Sequence, residues 1–176
     1  MGKRSSFERV PRDFYPTPYE AVLPLIPHLL PGASYCEPCC GDGALIRHLA
    51  RHGFHLECAF DIDPQTEAYC MDATASWSDG DPDFYITNPP WERTTLHAII
   101  TNLSRHKPTW LLFDADWMHT KQSAPYMEWL RAIVSVGRVK WIPDSPFTGK
   151  DNCCWYLFNQ NCDPLEFPAV FYGRAA

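Results

Sequence analysis

Hydrophobic and polar residues alternate along this chain in a pattern that predicts strands and helices in turn. Short apolar runs that end in polar or turn-forming residues predict strands over 34–38, 56–62, 68–71, 84–87, 109–114, 139–142 and 153–158. Apolar residues at intervals of three and four predict helices over 17–30, 44–53, 94–105 and 123–135. Pro24 and Pro27 fall inside the first of these helices, which we therefore expect to be kinked or broken.

The order of these elements predicts the fold class. Strand and helix alternate for most of the chain, and the last two strands follow each other across a loop at 143–152. This order is typical of an open α/β sheet that is mainly parallel, has an antiparallel edge strand and carries helices on both faces. The length of 176 residues fits one domain, which we assign to 13–176. Residues 1–12 contain four basic residues and little apolar content, so we expect a flexible basic arm there.

The composition indicates in which cellular compartment the protein is expected. No stretch approaches the roughly 20 apolar residues that a membrane-spanning helix needs, and the polar N-terminus lacks the apolar region of a secretory signal. We therefore expect a soluble cytoplasmic protein without membrane contact. The eight cysteines have no export signal beside them, so we expect free thiols rather than disulfides, and we expect Cys58, Cys70, Cys153 and Cys154 to be buried because they lie in apolar segments. Cys36 and Cys39 have zinc-like spacing, but no second pair follows at the spacing of a zinc site, and we expect no metal.

Charged residues are distributed unevenly, and this changes the meaning of the net charge of −6. Eight acidic residues and no Lys or Arg lie between His52 and Trp91. The remainder of the chain has thirteen acidic and fifteen basic residues and is therefore slightly basic. Such a chain can bind nucleic acid through its basic part, although the charge does not require it.

Four predicted strands end in residues suited to ligand binding, and in a parallel α/β sheet ligands gather at the carboxyl ends of the strands. The first strand ends at 37–43, where two glycines allow close approach of a ligand, although such turns are also common without one. Asp61 ends the second strand about 20 residues after Gly41, a spacing at which a carboxylate can bind the hydroxyls of a ribose. Asp72-Ala73 follows the third strand, where it can bind an adenine amino group, and Asn88 follows the fourth.

The sequence Asn88-Pro89-Pro90-Trp91 directly follows the fourth predicted strand. Proline has no backbone N–H, so this loop is rich in hydrogen-bond acceptors, which include the side-chain oxygen of Asn88 and the carbonyl of Pro89. Trp91 adds an aromatic face on which a planar base can stack. These groups suit an exocyclic amine or an amide that attacks an electrophilic methyl group. Two prolines after a strand are also common in ordinary loops, so the tetrapeptide alone does not indicate methyl transfer. The residues at the other strand ends are needed for that inference.

Together these residues make the chain resemble the S-adenosylmethionine-dependent amino methyltransferases, in particular the small DNA adenine-N6 methyltransferases of phages and prophages. The resemblance covers nearly the whole chain. It implies a Rossmann-like methyltransferase fold, S-adenosylmethionine as cofactor and a bacterial cytoplasm as the location. The segments that carry it, in the order of the family, are 13–18, 37–43, 61–63, Asp72 and 88–91.

The resemblance also implies which residues bind the cofactor. They are Tyr15, Thr17, Glu37, Gly41, Gly43, Asp61, Ile62, Asp72 and Ala73. Segment 15–17 would hold the carboxylate end of the methionine, and segment 37–43 would line the methionine moiety. Asp61 would bind the ribose, while Ile62 would pack on the adenine and Asp72 would bind its N6.

The implied catalytic residues are Asn88, Pro89, Pro90 and Trp91. The N6 amine of adenine is a poor nucleophile because its lone pair is delocalised into the ring. Hydrogen bonds from its two N–H groups to Asn88 and to the Pro89 carbonyl would return electron density to the nitrogen. In a duplex the base must first be flipped out, and stacking on Trp91 would offset part of that cost.

The second face of the base needs another aromatic wall. From the family pattern we expect Phe147 to supply it, with Trp141 as the alternative, although Phe147 is equally well explained as a hydrophobic residue at a loop tip. No segment is large enough for a separate target-recognition domain. We therefore expect the substrate to be bound by the loops that contain Lys121 and Lys150 and by the basic arm. We therefore expect short or relaxed sequence specificity, or help from a second subunit, in a monomer or homodimer. Asp114 and Asp116 follow the fifth strand, where capping of the next helix is favoured over a role in the pocket.

Two other functions remain open at this point. The same pocket could act on adenine in RNA or on a protein glutamine, whose planar amide also presents two N–H groups. The chain could also be a catalytically inactive, cofactor-binding partner of a larger methyltransferase. The intact sequence from Asn88 to Trp91 favours an enzyme over such a partner.

Overall fold

The structure is a computed structural model that describes residues 14–77, 80–142 and 149–174. Within these residues one sheet contains the strands β1 (Ser34–Glu37), β2 (His55–Asp61), β3 (Tyr69–Cys70), β4 (Phe84–Thr87), β5 (Thr109–Asp114), β6 (Leu130–Arg138), β7 (Asn152–Phe158) and β8 (Val170–Tyr172). Their spatial order is β3-β2-β1-β4-β5-β7-β6-β8. Six predicted strands are confirmed to within one or two residues at each end, namely those over 34–38, 56–62, 68–71, 84–87, 109–114 and 153–158.

The described helices are α1 (Tyr19–Val22), α2 (Ala44–Ala50) and α3 (Arg93–Leu103), together with short 3-10 helices at Ile26–His28, Ala115–His119 and Lys121–Trp129. The predicted break in the first helix is confirmed, because α1 stops before Pro24 and only a 3-10 turn follows. In the part of the chain that the structure describes, no helix has the length and apolar character needed to cross a membrane.

The sheet is mixed, as predicted. Strands β1 to β5 are parallel to one another, whereas β7 runs antiparallel to both β5 and β6. The antiparallel strand does not form the edge, because β6 and β8 extend the sheet beyond it and β8 pairs in parallel with β6. Strands β6 and β8 therefore point in the same direction as β5.

The segment 121–138 differs from its prediction. The helix predicted over 123–135 is wrong, since a 3-10 helix ends at Trp129 and β6 follows directly. Strand β6 is buried along most of its length, so its apolar residues do not alternate regularly with polar ones. Periodicity alone does not distinguish such a run from a buried helix. The strand predicted over 139–142 is also wrong, because β6 ends at Arg138, and β8 was not predicted.

Helices cover both faces of the sheet because the strand side chains alternate between two cores. Trp110 and Leu112 of β5 pack in one core with residues of α1 and α2. Leu111 and Phe113, which point the other way, pack in the second core with residues of α3. The strands are thereby held from both sides of the sheet.

Two cysteines contradict the expectation that all of them are free thiols. Cys36 of β1 and Cys58 of β2 form a disulfide, with their Cα atoms 4.7 Å apart. The cause is the register of the two strands, which puts these residues directly opposite each other. The other six cysteines are free, as predicted, but Cys70 is exposed because it lies on the two-residue edge strand β3, so the expectation that it is buried is wrong.

Candidate active site

A cavity of about 530 Å³ lies at the carboxyl ends of strands β1 to β4. Strands β1 and β4 are neighbours in the sheet although β2 and β3 come between them in the chain, and open α/β sheets bind ligands at such switch points. The predicted site residues that line the cavity are Tyr15, Thr17, Glu37, Gly41, Asp61, Ile62, Asp72, Ala73, Asn88 and Pro90. The predicted residues that are described but do not line it are Gly43, Pro89, Trp91, Lys121, Trp141 and Lys150.

The turn between β1 and α2 forms one wall of the cavity. Gly41 and Gly43 have φ angles of 49° and 76°, which favour glycine. A Cβ atom on Gly41 would lie 2.6 Å from Cε2 of Phe14, so the absence of a side chain lets the N-terminal segment cross this turn. The carboxylate of Asp61 accepts hydrogen bonds from the N–H groups of Gly41 (2.9 Å) and Asp63 (2.8 Å). Asp61 thus joins the ends of β1 and β2, and each of its oxygens keeps a lone pair for a ligand.

Glu37 is a buried carboxyl group at the floor of the cavity. Glu37 is only 2% exposed, and its Oε2 atom has no hydrogen-bond partner among the described residues. Burial raises the pKa of Glu37 well above its ordinary value, and the nearby carboxylates of Asp42 and Asp61 raise it further. A buried acid of this kind is poised to receive a positive charge or a hydrogen-bond donor from a ligand.

A second part of the cavity is suited to a flat ring. Ile62 is 57% exposed and lines the cavity, so its side chain offers an apolar surface. Oδ1 of Asp72 accepts hydrogen bonds from the N–H and the hydroxyl of Thr74, at 2.8 and 2.7 Å, which fixes the direction of the carboxylate. The buried Ala73 carbonyl accepts a 3.0 Å hydrogen bond from the side chain of Asn102 on α3. The loop after β3 is therefore held against α3.

Asn88 lies at the opposite end of the cavity, directly after β4. Its Nδ2 atom donates a 3.3 Å hydrogen bond to the backbone carbonyl of Tyr15. A ring nitrogen of His48, on α2, lies 3.1 Å from the backbone carbonyl of Thr17 and can donate to it. Two side chains from different elements therefore fix segment 14–17 over the cavity.

Trp91 and Trp141 form a pair beside Asn88. The Nε1 atom of Trp91 donates a 3.1 Å hydrogen bond to the carbonyl of Leu112 on β5. The two indole rings are perpendicular, with centroids 5.6 Å apart, and the ring of Tyr15 lies 6.5 Å from that of Trp141. Trp91 and Trp141, the alternative to Phe147, are therefore in edge-to-face contact next to Asn88 and do not face each other as two walls of a slot, and neither indole lines the cavity.

Other predicted substrate contacts lie farther from the cavity or outside the described residues. Lys121 is exposed at the start of a 3-10 helix, and Lys150 is exposed just before β7. Phe147 lies outside the described residues, as do the basic arm 1–12 and Asp13.

Asp114 caps the helix that follows β5, as predicted. Its side chain accepts a 3.0 Å hydrogen bond from the N–H of Asp116 and forms an ion pair with Arg93 at 2.9 Å. The ion pair joins the end of β5 to the first turn of α3. Because α3 begins directly after residues 88–91, the ion pair also restricts the position of that loop.

Several residues around the cavity were not predicted. Phe14 crosses Gly41, His48 supports Thr17, and Thr95 and Ile99 of α3 also line the cavity. The positions on α3 could have been found, because residues four apart share one face of a predicted helix. No local pattern indicates the other two, whose partners are distant in the sequence.

The cavity is acidic at one end and neutral at the other. Its acidic lining residues are Glu37, Asp42, Asp61, Asp63 and Asp72. Such a lining favours a cationic ligand, and the amide of Asn88 can accept a hydrogen bond from an uncharged amine. In the described ranges, no group of three or more His, Cys, Asp or Glu residues could hold a metal ion.

Comparisons with known proteins show a shared fold but no close relative. No protein-family profile and no curated protein matches the sequence. A proposed RNA methyltransferase from Pyrococcus horikoshii aligns with a TM-score of 0.62 and 13% identity, over 89% of this chain and 91% of the other. A proposed class I S-adenosylmethionine-dependent methyltransferase from Listeria monocytogenes aligns with a TM-score of 0.59 and 10% identity, over 95% and 68%. The modification subunit of a proposed type I restriction enzyme from Vibrio vulnificus aligns with a TM-score of 0.55 and 12% identity, over 93% and 47%.

Proposed function

We propose that this protein transfers a methyl group from S-adenosylmethionine to the exocyclic N6 amine of adenine in DNA, within the cytoplasm. The observation that carries the proposal is that Asn88, held by the Tyr15 carbonyl, lines the same cavity as the buried Glu37. One cavity therefore combines an acidic end that suits a cationic cofactor with a neutral acceptor that suits an amine. The fold shared with S-adenosylmethionine-dependent methyltransferases supports the same activity.

S-adenosylmethionine fits the residues of the acidic end. The unpartnered Oε2 of Glu37 would be compensated by one of the cofactor's positive charges. Asp61 would accept hydrogen bonds from the ribose hydroxyls, the exposed side chain of Ile62 would pack on the adenine, and Asp72 would bind its amino group. When bound, the cofactor supplies an electrophilic methyl group.

Asn88 would activate the substrate amine through its side-chain oxygen. Because Nδ2 is bonded to the Tyr15 carbonyl, Oδ1 is the atom that can accept a hydrogen bond from the amine. The resemblance implies the Pro89 carbonyl as the second acceptor; Pro89 does not line the cavity, so Asn88 alone carries the proposal. As the amine becomes pyramidal its N–H groups become more acidic, so both hydrogen bonds strengthen in the transition state. No strong base is needed before attack, since the proton becomes acidic only afterwards.

DNA is the substrate that we favour, and RNA is the second candidate. Trp91, Trp141 and Tyr15 offer aromatic rings beside Asn88, which support a planar base as the group that carries the amine. The fold match to a proposed RNA methyltransferase favours RNA as the alternative. A protein glutamine would use the same two acceptors but would not need an aromatic pair.

The test is transfer of labelled methyl from S-adenosylmethionine to duplex DNA, single-stranded DNA, RNA and protein, measured in parallel. Asn88→Ala is the test variant, and Asn161→Ala is the matched control. Asn161 is exposed, and its side chain bonds to the carbonyl of Arg105, beyond the C-terminal end of α3 and away from the cavity.

We expect labelled N6-methyladenine in DNA with the wild-type and the Asn161 variant, and about 10²- to 10³-fold slower transfer with the Asn88 variant. Label in RNA or protein alone would overturn DNA as the substrate. Full activity of the Asn88 variant would overturn the proposed mechanism. Cofactor binding without transfer to any of the four substrates would instead support a non-catalytic partner.

A further inference from the structure

The edge of the sheet that carries the cavity has two halves of opposite charge. The loops after β1, β2 and β3 contribute the acidic lining residues, and segments 37–43, 61–65 and 71–74 contain no Lys or Arg. The end of β6, the start of β7 and the end of β8 lie at the same edge, because β6 and β8 run parallel to β5 while β7 runs antiparallel. Segments 138–142, 149–152 and 170–174 there contain four basic residues and one acidic residue, Asp151.

These four basic residues form a group that we call the basic rim. Its members, all exposed, are Arg138, Lys140, Lys150 and Arg174. Backbone contacts fix their relative positions: the N–H of Gly149 donates a 2.8 Å hydrogen bond to the carbonyl of Val139, which holds the start of β7 beside the end of β6. A Cβ atom on Gly137 would lie 3.0 Å from a guanidinium nitrogen of Arg174, so that side chain lies across the end of β6.

The basic rim begins next to the candidate active site. Lys140 is followed directly by Trp141, whose ring contacts those of Trp91 and Tyr15. The carbonyl of Tyr15 in turn holds Asn88. The aromatic pair therefore marks the boundary between the cavity and the basic rim.

We propose that the basic rim binds backbone phosphates of DNA adjacent to the adenine that enters the cavity. The inference rests on the proposed function, and it identifies where the substrate strand runs. The acidic half of the edge repels a polyanion, whereas the rim attracts one, so the strand passes over the ends of β6 and β8. Lys and Arg that neutralise phosphates release counterions, which makes the binding depend on salt in a predictable way.

The test is the equilibrium binding of a short adenine-containing duplex, and of an RNA of the same sequence, between about 50 and 200 mM salt. The test variant is Arg138→Gln combined with Lys140→Gln. The control is Arg105→Gln combined with Lys107→Gln, which removes the same charge from the segment that joins the end of α3 to β5, at the opposite edge of the sheet. Thermal unfolding of each variant checks that the fold is retained.

We expect the test variant to bind the duplex more weakly and the slope of log K against log salt to become shallower by about 0.9 for each lost phosphate contact, roughly 1.8 in all. The control variant should keep the wild-type slope. Equal slopes for the two variants, tighter binding of RNA than DNA, or no binding of DNA by the wild-type protein would each overturn the inference. If the test variant binds DNA more weakly but the wild-type protein transfers no methyl group, the proposed reaction is wrong and the proposal for the basic rim is supported. If the wild-type protein methylates DNA but the test variant binds DNA as tightly as the wild type, the proposal for the basic rim is wrong and the proposed reaction is supported.

Discussion

The side chain of Asn88 donates a hydrogen bond to the backbone carbonyl of Tyr15 across 3.3 Å. This contact joins the end of β4 to a segment that lies 73 positions earlier in the chain. It also determines which atom of the Asn88 amide can serve a substrate, because the nitrogen is engaged and the oxygen is left as an acceptor. The N-terminal segment therefore contacts the Asn88 end of the cavity as well as the turn at Gly41.

Replacement of Asn88 should separate the donor role of its side chain from the acceptor role. Asn88→Asp keeps an acceptor oxygen but puts a second oxygen opposite the Tyr15 carbonyl, which costs about 1.5–3 kcal/mol and should lower kcat about 10- to 100-fold. Asn88→Ala removes the acceptor as well, and we expect a loss of about 10²- to 10³-fold. Single-turnover methyl transfer, with cofactor affinity measured separately, checks both values. A wild-type rate for Asn88→Asp would show that the bond to Tyr15 does not orient the amide.

A side chain at Gly41 should force the Phe14 ring to move, because a Cβ atom there would lie 2.6 Å from Cε2 of that ring. We expect Gly41→Ala to displace segment 14–17 and weaken cofactor binding at least 10-fold. Gly53→Ala is the matched control, because Gly53 also has a positive φ of 79° but has nothing within 4 Å of its Cβ position. Both variants should lose about 1–2 kcal/mol of stability from backbone strain. Isothermal titration with S-adenosylmethionine distinguishes them, and equal cofactor affinities would contradict the contact between Phe14 and Gly41.

Local sequence pattern was enough to predict the strands that alternate regularly with helices, and it failed at β6. Leu130, Ile133 and Val134 fit a helical spacing as well as they fit a strand, and burial on both sides removes the alternation that would have identified a strand. The edge strand β8 consists of three consecutive apolar or aromatic residues, a run too short to show an alternation. The general order of the sheet could therefore be predicted, but the end of the sheet that carries the basic rim could not.

The same distinction applies to the candidate site. That Glu37, Asp61, Asp72 and Asn88 line one cavity could be predicted, because each lies at or just after the carboxyl end of a strand and such ends converge. The support of Thr17 by His48 could not, because it depends on how the N-terminal segment packs over α2 rather than on any local motif.

Trp91 should contribute to base binding through its ring and to stability through its indole nitrogen. Trp91→Phe keeps a ring but loses the hydrogen bond to the Leu112 carbonyl, so the free energy of unfolding should fall by about 1 kcal/mol. Trp91→Ala removes the stacking surface, and the KM for DNA should rise about 10- to 100-fold. Trp77→Ala is the control, because Trp77 is 43% exposed and stacks on His106 away from the cavity. If both alanine variants raise KM equally, Trp91 is not a stacking platform.

Gly149 should be required for the position of Trp141. A Cβ atom at Gly149 would lie 2.8 Å from the carbonyl oxygen of Val139 and 3.1 Å from Cδ1 of Trp141. Gly149→Ala should therefore destabilise the protein by about 1–3 kcal/mol and disturb the contact of Trp141 with Trp91. Gly173→Ala is the control, because no atom lies within 4 Å of the Cβ position at Gly173. It should change the free energy of unfolding by less than about 0.5 kcal/mol. Urea unfolding gives the stabilities and near-ultraviolet circular dichroism reports the indole pair; an unchanged spectrum for Gly149→Ala would contradict the contact.

Glu37 should make the cofactor-free protein less stable as the pH rises. Burial and the carboxylates of Asp42 and Asp61 raise the pKa of Glu37 in the folded state above the ordinary value of 4.5. Above pH 4.5 the folded protein therefore holds a proton that the unfolded chain has released, and the stability that Glu37 contributes below that pH is lost as the pH rises towards the folded-state pKa.

The slope of this loss is at most about 1.4 kcal/mol per pH unit. Glu37→Gln cannot ionise, so its free energy of unfolding should decline less between about pH 5 and 8. Glu57→Gln, on the exposed part of β2, should follow the wild-type curve. Urea unfolding across this pH range measures all three proteins. Parallel curves for the wild type and Glu37→Gln would mean that Glu37 ionises in the folded protein as easily as in the unfolded chain. Burial would then not raise its pKa.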